Sequence, residues 1–67
     1  MDIKKRLGVA LLNRREELHP TQDQMAELCG MSLRQYRDLE NGKSDPKLST
    51  LEKLVKGCGI CLDELMR

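Results

Sequence analysis

The sequence predicts an all-α fold in which residues 1–67 form one compact domain of five short helices. Apolar residues recur at helical spacing in most of the chain. Only 1% of the residues are aromatic, Tyr36 alone, whereas β-sandwiches depend on aromatic and β-branched side chains. Signals for helix starts, each followed by a glycine, recur along the sequence. A chain of 67 residues can bury only one small core, so a single domain is expected.

The first helix is predicted over residues 3–18. Asp2 is its expected N-cap. Pro20 ends it, because the residue before a proline is disfavoured in the α conformation. One apolar stripe should face the core, formed by Ile3, Leu7, Leu11 and Leu18.

The second helix is predicted to begin at Thr21. Thr21 and Gln24 have the spacing of a capping box, in which each side chain bonds the backbone N–H of the other residue. Gly30 is expected to stop the helix in a left-handed conformation. The side chains expected to face inward are Met25, Ala26 and Cys29, with Leu28 partly so.

The same pattern repeats in the third helix, predicted over Leu33–Asn41. Ser32 is the N-cap, Gln35 its partner in a second capping box, and Gly42 the stop signal. The two boxes lie eleven residues apart with one glycine between them. Helices 2 and 3 are therefore predicted to form a helix-turn-helix over residues 21–41.

A third capping box, Ser49 with Glu52, is predicted to open the fourth helix. Gly57 and Gly59 should fray its end, and a short fifth helix is predicted over residues 60–66. The apolar stripe of helix 4 is Leu51, Leu54, Val55 and Cys58.

The charge balance argues against strong nucleic-acid binding. The net charge is only +1, and residues 21–43 alone carry a net charge of −1. No segment is long and apolar enough to cross a membrane, and no signal peptide is recognised, so a cytoplasmic location is expected. The basic residues concentrate in helix 1 and in the loop after helix 3, at Lys4, Lys5, Arg6, Arg14, Arg15, Lys43 and Lys47.

Several motifs with fixed spacing carry a resemblance to a known family. They are Thr21-Gln22-x-x-Met25-Ala26, Gly30-Met31-Ser32, Leu39-Glu40-Asn41-Gly42-Lys43, then Pro46 and Leu51, and Gly59-Ile60-Cys61-Leu62-Asp63-Glu64-Leu65. On these residues, the chain over 7–66 resembles the Cro/CI-type helix-turn-helix transcriptional regulators, also called xenobiotic-response-element-like. The resemblance implies a compact five-helix, lambda-repressor-like DNA-binding domain with helix 3 in the major groove.

The polar face of helix 3 is the predicted base-contacting surface. The resemblance places Leu33, Arg34 and Asp38 at base-facing positions, with Arg37 beside them. An arginine can fork onto guanine O6 and N7. Asp38 could accept from cytosine N4 or hold an arginine in place. Leu33 is apolar where the family commonly has a polar residue, so it could contact a thymine methyl or a protein.

Phosphate contacts are expected around this surface. Gln22 resembles the helix-2 glutamine that binds phosphate and braces helix 3, and Lys43 lies in the loop that meets the DNA backbone. The further predicted phosphate contacts are Thr21, Gln35 and Asn41. The resemblance also implies a partly buried structural ion pair between Arg15 and Glu40.

The three cysteines are expected to be reduced thiols, because their number is odd and no secretory context accompanies them. Cys58-x-x-Cys61 could join Cys29 and His19 in a zinc or redox site, but a second paired set of ligands is missing. Small buried apolar residues are the favoured interpretation for Cys29 and Cys58. No metal and no cofactor is predicted.

The predicted function is sequence-specific binding of double-stranded DNA by a transcriptional regulator, most often a repressor in this family. A homodimer on a pseudo-palindromic operator is expected, because one domain covers only a few base pairs. Pairing would use the helix 4–5 region, and exposed Ile60, Leu62 or Met66 would support it. No nucleophile with a neighbouring base is apparent, so an enzyme is not expected.

Two other functions remain open. Leu33, Asp38 and the near-neutral charge favour a protein-interaction module on the same fold, such as an antitoxin-like or partner-binding protein. A thiol or metal sensor that controls DNA binding would rest on the cysteines alone.

Overall fold

The computed structural model describes residues 3–18 and 20–61, and these residues form four α-helices without a β-strand. The helices are α1 (Ile3–Leu18), α2 (Gln22–Leu28), α3 (Leu33–Glu40) and α4 (Leu48–Cys58). The all-α prediction is confirmed. The fifth helix was expected over residues 60–66, of which 62–66 lie outside the described residues, whereas residues 60 and 61 are not helical.

Helix α1 has the predicted bounds and packs against α3. Leu7 and Leu11 are fully buried, but Ile3 and Leu18 at the two ends of the predicted stripe are exposed. The stripe therefore meets the core only along the middle of the helix. The expected N-cap, Asp2, lies outside the described residues.

Helix α2 begins with the predicted capping box. The N–H of Gln24 donates to Thr21 Oγ1 at 3.1 Å, and the N–H of Thr21 donates to Gln24 Oε1 at 2.8 Å. Leu28 was expected to be partly buried but is 56% exposed. Gly57 of α4 lies against the main-chain carbonyl of Leu28, so α4 covers the backbone at this end of α2 and leaves the Leu28 side chain in solvent.

The turn after α2 has the predicted left-handed glycine, with φ of 68° at Gly30. The N–H groups of Gly30 and Met31 donate to the carbonyls of Glu27 and Ala26, both at 3.0 Å. This pattern is the Schellman motif that ends helices at a glycine. It reverses the chain within a few residues and starts α3 against the end of α2.

Helix α3 keeps only half of the second predicted box. Ser32 Oγ accepts from the N–H of Gln35 at 3.1 Å, and the reciprocal bond, from the N–H of Ser32 to the Gln35 side-chain oxygen, is not formed. The helix ends at Glu40, one residue before the predicted end, because Asn41 is already its C-cap.

Helix α4 begins at Leu48 with Lys47 as N-cap, so the predicted Ser49–Glu52 box is wrong. Thr50, Leu54 and Cys58, four residues apart, form the buried face of this helix, whereas Leu51 and Val55 of the predicted stripe are only partly buried. The predicted fraying at Gly57 is wrong as well, because the helix continues to Cys58.

The prediction of reduced cysteines is wrong for two of the three. Cys29 and Cys58 form a disulfide, with their Cα atoms 6.0 Å apart, while Cys61 is a free, exposed thiol. Both bonded cysteines are buried, which confirms their predicted core location. Their pairing depends on the ends of α2 and α4 meeting in the core, and spacing along the sequence does not reveal that contact.

The core lies between α1, α3 and the ends of α2 and α4. Tyr36 is the largest of its fully buried side chains. Ile60 is also buried, so it does not provide the exposed side chain that would have supported dimer formation. None of the helices in the described part of the chain is long and apolar enough to cross a bilayer. The buried residues are Leu7, Leu11, Met25, Ala26, Cys29, Tyr36, Leu39, Leu54, Cys58 and Ile60.

Candidate nucleic-acid interface

One face of helix α3 is buried in the core, and the opposite face is exposed. Tyr36 and Leu39 are buried against the core, which fixes the inner face of the helix. Arg34, Arg37 and the polar residues around them lie outside that core. An α-helix with side chains is about 10–12 Å wide and fits the major groove of B-DNA. The fold thus supplies the rigid, half-exposed helix that groove binding requires.

The four predicted base-facing side chains occupy one surface. They line a shallow groove of about 570 Å³ together with two residues predicted to meet phosphate. Thr21 and Gln35, also predicted to meet phosphate, lie instead in the caps of α2 and α3. The residues that line this groove are Leu33, Arg34, Arg37, Asp38, Asn41 and Lys43.

This groove is more basic than the sequence segment that contains it. It carries three positive side chains and one negative side chain, Asp38, a net charge of +2. Glu40, which contributed to the segment's net charge of −1, points inward and leaves only 6% of its side chain exposed. The net charge of residues 21–43 is therefore a weaker argument against nucleic-acid binding than the sequence alone suggested.

Arg15 and Glu40 form the ion pair that the family resemblance implied. Arg15 Nε donates to Glu40 Oε2 at 3.0 Å, and Arg15 Nη2 donates to Glu40 Oε1 at 3.1 Å. Burial alone would raise the pKa of Glu40, but the hydrogen bond from Arg15, the nearby Tyr36 hydroxyl, the hydrogen bond from Gln22 and the charge of Arg15 outweigh burial, so this pKa is lowered. The hydrogen bonds to Glu40 in turn raise the pKa of Arg15. The pair locks the last turn of α1 to the last residue of α3.

Gln22 extends this ion pair to the groove on α3. Its Nε2 donates to Glu40 Oε1 at 3.1 Å, and its Oε1 accepts from Arg37 Nε at 3.2 Å. The sequence analysis identified all four of Arg15, Gln22, Arg37 and Glu40 and expected Gln22 to brace helix 3, but it did not give Glu40 and Arg37 as the partners of Gln22. These contacts join α2 to α3 across 15 and 18 residues, and no local pattern signals them.

Tyr36 brings a buried hydroxyl close to the same ion pair. Among the described residues this hydroxyl has no hydrogen-bond partner. Burial, followed by the nearby Glu40 carboxylate, raises the pKa of Tyr36. The hydroxyl is therefore neutral at any physiological pH.

The loop after α3 is closed by backbone hydrogen bonds. The N–H groups of Gly42 and Lys43 donate to the carbonyls of Leu39 and Asp38, at 3.2 and 2.9 Å. The main-chain N–H of Lys43 is thus engaged, and its exposed ammonium is the group left for phosphate. The N-terminal turn of α1 lies beside this loop, where Lys4 Nζ is 3.7 Å from Asp45 Oδ2.

The remaining cysteine and histidine residues do not form a metal site in the part of the chain that the structure describes. No group of three or more His, Cys, Asp or Glu side chains there could hold a metal ion. His19 lies outside the described residues.

The model of a protein family described as helix-turn-helix matches residues 11–65. No solved structure matches the chain.

Three curated proteins are each 38% identical to the chain. The transcriptional repressor RstR of the cryptic phage CTXphi in Vibrio cholerae aligns over 65 residues, 97% of this chain and 54% of the repressor. The ImmF control region 10 kDa protein of Bacillus phage phi105 aligns over 51 residues, 76% of this chain and 57% of that protein. Control protein C.MunI of a Mycoplasma species aligns over 65 residues, 96% of this chain and 88% of that protein. The chain therefore spans little more than half the length of the first two.

Proposed function

Because the chain belongs to the Cro/CI-type helix-turn-helix family, we propose that it is a sequence-specific, double-stranded DNA-binding regulator of transcription that acts as a repressor. The observation that carries this proposal is the groove on α3, where the predicted base-contacting residues lie together with a net charge of +2. Two of the similar proteins are named as a transcriptional repressor and a control protein, which supports the regulatory role. No catalytic role is proposed.

Base contacts are assigned to the outer face of α3. Arg34 and Arg37 each carry the fork that pairs with guanine O6 and N7. Asp38 accepts from cytosine N4, and Leu33 contacts a thymine methyl. Because Arg34 and Arg37 line the same groove as Asp38, its carboxylate also partly balances their charge.

Phosphate contacts are assigned to the residues around this face. The exposed ammonium of Lys43 meets the backbone after α3, with Asn41 beside it in the groove. Gln22 keeps one amide N–H beyond the one donated to Glu40, and that N–H is directed at a phosphate. Thr21 and Gln35, at the first turns of α2 and α3, complete the set.

We propose that two copies bind a pseudo-palindromic operator, with half-sites about one helical turn apart, because one α3 contacts too few base pairs for useful discrimination. The pairing surface is placed in the helix 4–5 region. Ile60 takes no part in it because its side chain is buried. The predicted contributions of Leu62 and Met66 lie outside the described residues. A cytoplasmic location, where bacterial and phage DNA lies, is part of this proposal, because the similar proteins come from bacteria and phages.

Selection of bound sequences from random duplex DNA tests the function directly. A preferred half-site, repeated with inverted symmetry, is the expected result. The affinity for that site should fall with salt by about 0.9 log unit per log unit of salt for each phosphate contacted. Absence of duplex binding at low salt would overturn the proposal.

The second candidate function is a protein-interaction module, and one surface favours it. Val9 and Leu12 are 59% and 37% exposed on α1 and line a groove of about 290 Å³ with Gly8 and the end of α3. Loss of partner binding in Val9→Asp, with DNA binding unchanged, would assign this surface to a protein.

A further inference from the structure

We propose that Gln22 is a positioning residue that orients Arg37 for base contact, and that Glu40 sets the orientation of Gln22. This inference rests on the proposed function and deepens it. It assigns to Gln22 a role besides phosphate contact, and to the Arg15–Glu40 ion pair a role besides stability. Two hydrogen bonds connect the nearly buried Glu40 carboxylate, through the Gln22 amide, to the Arg37 guanidinium in the groove.

The first step is the contact between Glu40 and Gln22. An ionised carboxylate only accepts hydrogen bonds, whereas a glutamine amide has a donor end and an acceptor end. Glu40 Oε1 already accepts from Arg15 Nη2 at 3.1 Å, and it also accepts from Gln22 Nε2 at 3.1 Å. The lowered pKa of Glu40 keeps the carboxylate ionised at neutral pH. The nitrogen end of the Gln22 amide is therefore the end that faces Glu40.

The second step follows from the first. With its nitrogen directed at Glu40, the Gln22 amide turns its oxygen toward α3. That oxygen accepts from Arg37 Nε at 3.2 Å. A reversed amide would place its N–H groups against the Arg37 guanidinium and its oxygen against the Glu40 carboxylate, and would lose both hydrogen bonds. The charge of Glu40 thus selects the one orientation that restrains Arg37.

The third step concerns the part of Arg37 that stays free. Its guanidinium has five N–H donors, and the Nε–H is engaged by Gln22. The four N–H groups on Nη1 and Nη2 remain, so Arg37 contacts a guanine through the end of its fork. A side-on contact, which needs Nε, is excluded while the Gln22 bond persists. Restraint before binding also lowers the conformational entropy lost on binding.

Arg34 supplies an internal comparison on the same helix. It lines the same groove and is exposed, and among the described residues it makes no hydrogen bond or ion pair. The two side chains are chemically identical, but Arg37 is restrained by its hydrogen bond to Gln22 and Arg34 is not. A disturbance of Gln22 should change Arg37 and leave Arg34 unchanged.

The free protein tests the restraint without DNA. In ¹⁵N NMR spectra, the Arg37 Nε–H should show slow solvent exchange and a high order parameter in the wild-type protein, and Arg34 should show neither. Gln22→Met keeps the length of the side chain and removes the amide, so it should make Arg37 as mobile as Arg34. Equal mobility of Arg37 in the wild-type and Gln22→Met proteins would overturn the inference. Circular dichroism verifies that the variant is folded.

The selected duplex tests the consequence. Gln22→Met should relax the preference at the base pair contacted by Arg37 by roughly three- to tenfold, a part of the discrimination that one bidentate arginine supplies. The preference at the base pair contacted by Arg34 should not change. In an Arg37→Ala background, Gln22→Met should cause no further relaxation. Equal loss at every base pair would show that Gln22 acts only on phosphate or on folding, and would overturn the inference.

These outcomes separate this inference from the proposed function. If the wild-type protein binds no duplex, the proposed function fails, and the role of Gln22 in base contact fails with it. If the wild-type protein binds a specific duplex but Arg37 is unrestrained, or its base preference survives Gln22→Met, only the positioning role fails.

Discussion

Gly8 in α1 faces the main-chain carbonyl of Glu40 so closely that a Cβ atom at position 8 would lie 2.5 Å from the carbonyl oxygen. The contact joins two backbones, so no flexible side chain can move aside to make room. It brings α1 directly against the end of α3, next to the Arg15–Glu40 ion pair. The position of α3 therefore depends on the absence of a side chain at position 8.

Gly8→Ala should destabilise the fold. In an unhindered helix, replacing glycine by alanine gains up to about 1 kcal/mol. Here the added Cβ forces α1 and α3 apart, and overpacking of this kind costs about 1–3 kcal/mol. The free energy of unfolding, measured in urea, should fall. Val9→Ala, at the neighbouring exposed position, is the matched control and should change stability by less than Gly8→Ala does. A more stable Gly8→Ala protein would contradict the close contact.

Glu40 should contribute to stability in a pH-dependent way. Its pKa in the folded protein lies below the ordinary value of 4.5, so its contribution is complete above that pH and is lost as the pH falls through the folded-state pKa. Glu40→Gln should lower stability at neutral pH and flatten this acid-side decline. Arg15→Met should also flatten it, because the main opposing partner is then missing. Urea unfolding between neutral and acidic pH measures both effects, and an unchanged decline in Glu40→Gln would refute this role.

Tyr36→Phe should leave stability unchanged or raise it by up to about 1 kcal/mol. The substitution removes a buried hydroxyl that lacks a hydrogen-bond partner in the described structure and keeps the ring that fills the core. Thermal and urea unfolding at neutral pH provide the measurement. Tyr36→Leu, which shrinks the ring, is the contrasting variant and should be less stable than the wild-type protein. A clear loss of stability in Tyr36→Phe would show that Glu40 accepts from the hydroxyl in solution.

Reduction of the Cys29–Cys58 disulfide should lower the free energy of unfolding by about 3 kcal/mol, because the unfolded chain regains the freedom that the crosslink removes. Unfolding curves with and without a dithiol reductant measure this difference. Cys61→Ser should show the same difference, since Cys61 is outside the bond. Thiol titration of the denatured, unreduced protein should count one thiol in the wild-type chain. Three thiols would contradict the disulfide.

Arg34→Ala and Lys43→Ala should weaken DNA binding in different ways. Loss of Arg34 should relax the preference at one base pair by about 1–3 kcal/mol. Loss of Lys43 should weaken binding to all sequences alike and reduce the salt slope by about 0.9. Titrations of a selected site and of its single-base variants at several salt concentrations distinguish the two. A uniform effect of Arg34→Ala would remove it from the base-contacting set.

The helix-turn-helix could be predicted because its signals are local. Thr21 and Gln24 are three residues apart and bond each other, and Gly30 is directly followed by the turn it permits. The start of α4 was predicted incorrectly because Ser49 and Glu52 have the spacing of a capping box, whereas the helix begins earlier, at Leu48, and Lys47 caps it without a side-chain hydrogen bond. A spacing that fits a capping box does not require that the box forms.

In the candidate site, too, local features could be predicted from the sequence and contacts between distant residues could not. The side chains on α3 could be assigned from their positions along one helix. The disulfide, the bonds of Gln22 and the close approach of Gly8 to Glu40 each join residues between 15 and 32 positions apart in the chain. Such contacts exist only once the helices have packed. Among them is the bond between Gln22 and Arg37.

The Cys29–Cys58 bond closes a covalent ring across a sequence separation of 29. All of α3 and the loop that follows it lie inside this ring. A protease that cuts one peptide bond in the exposed part of that loop, beside Lys43 or Lys47, would therefore open the ring without releasing a fragment. The two pieces would stay joined through sulfur and separate only after reduction.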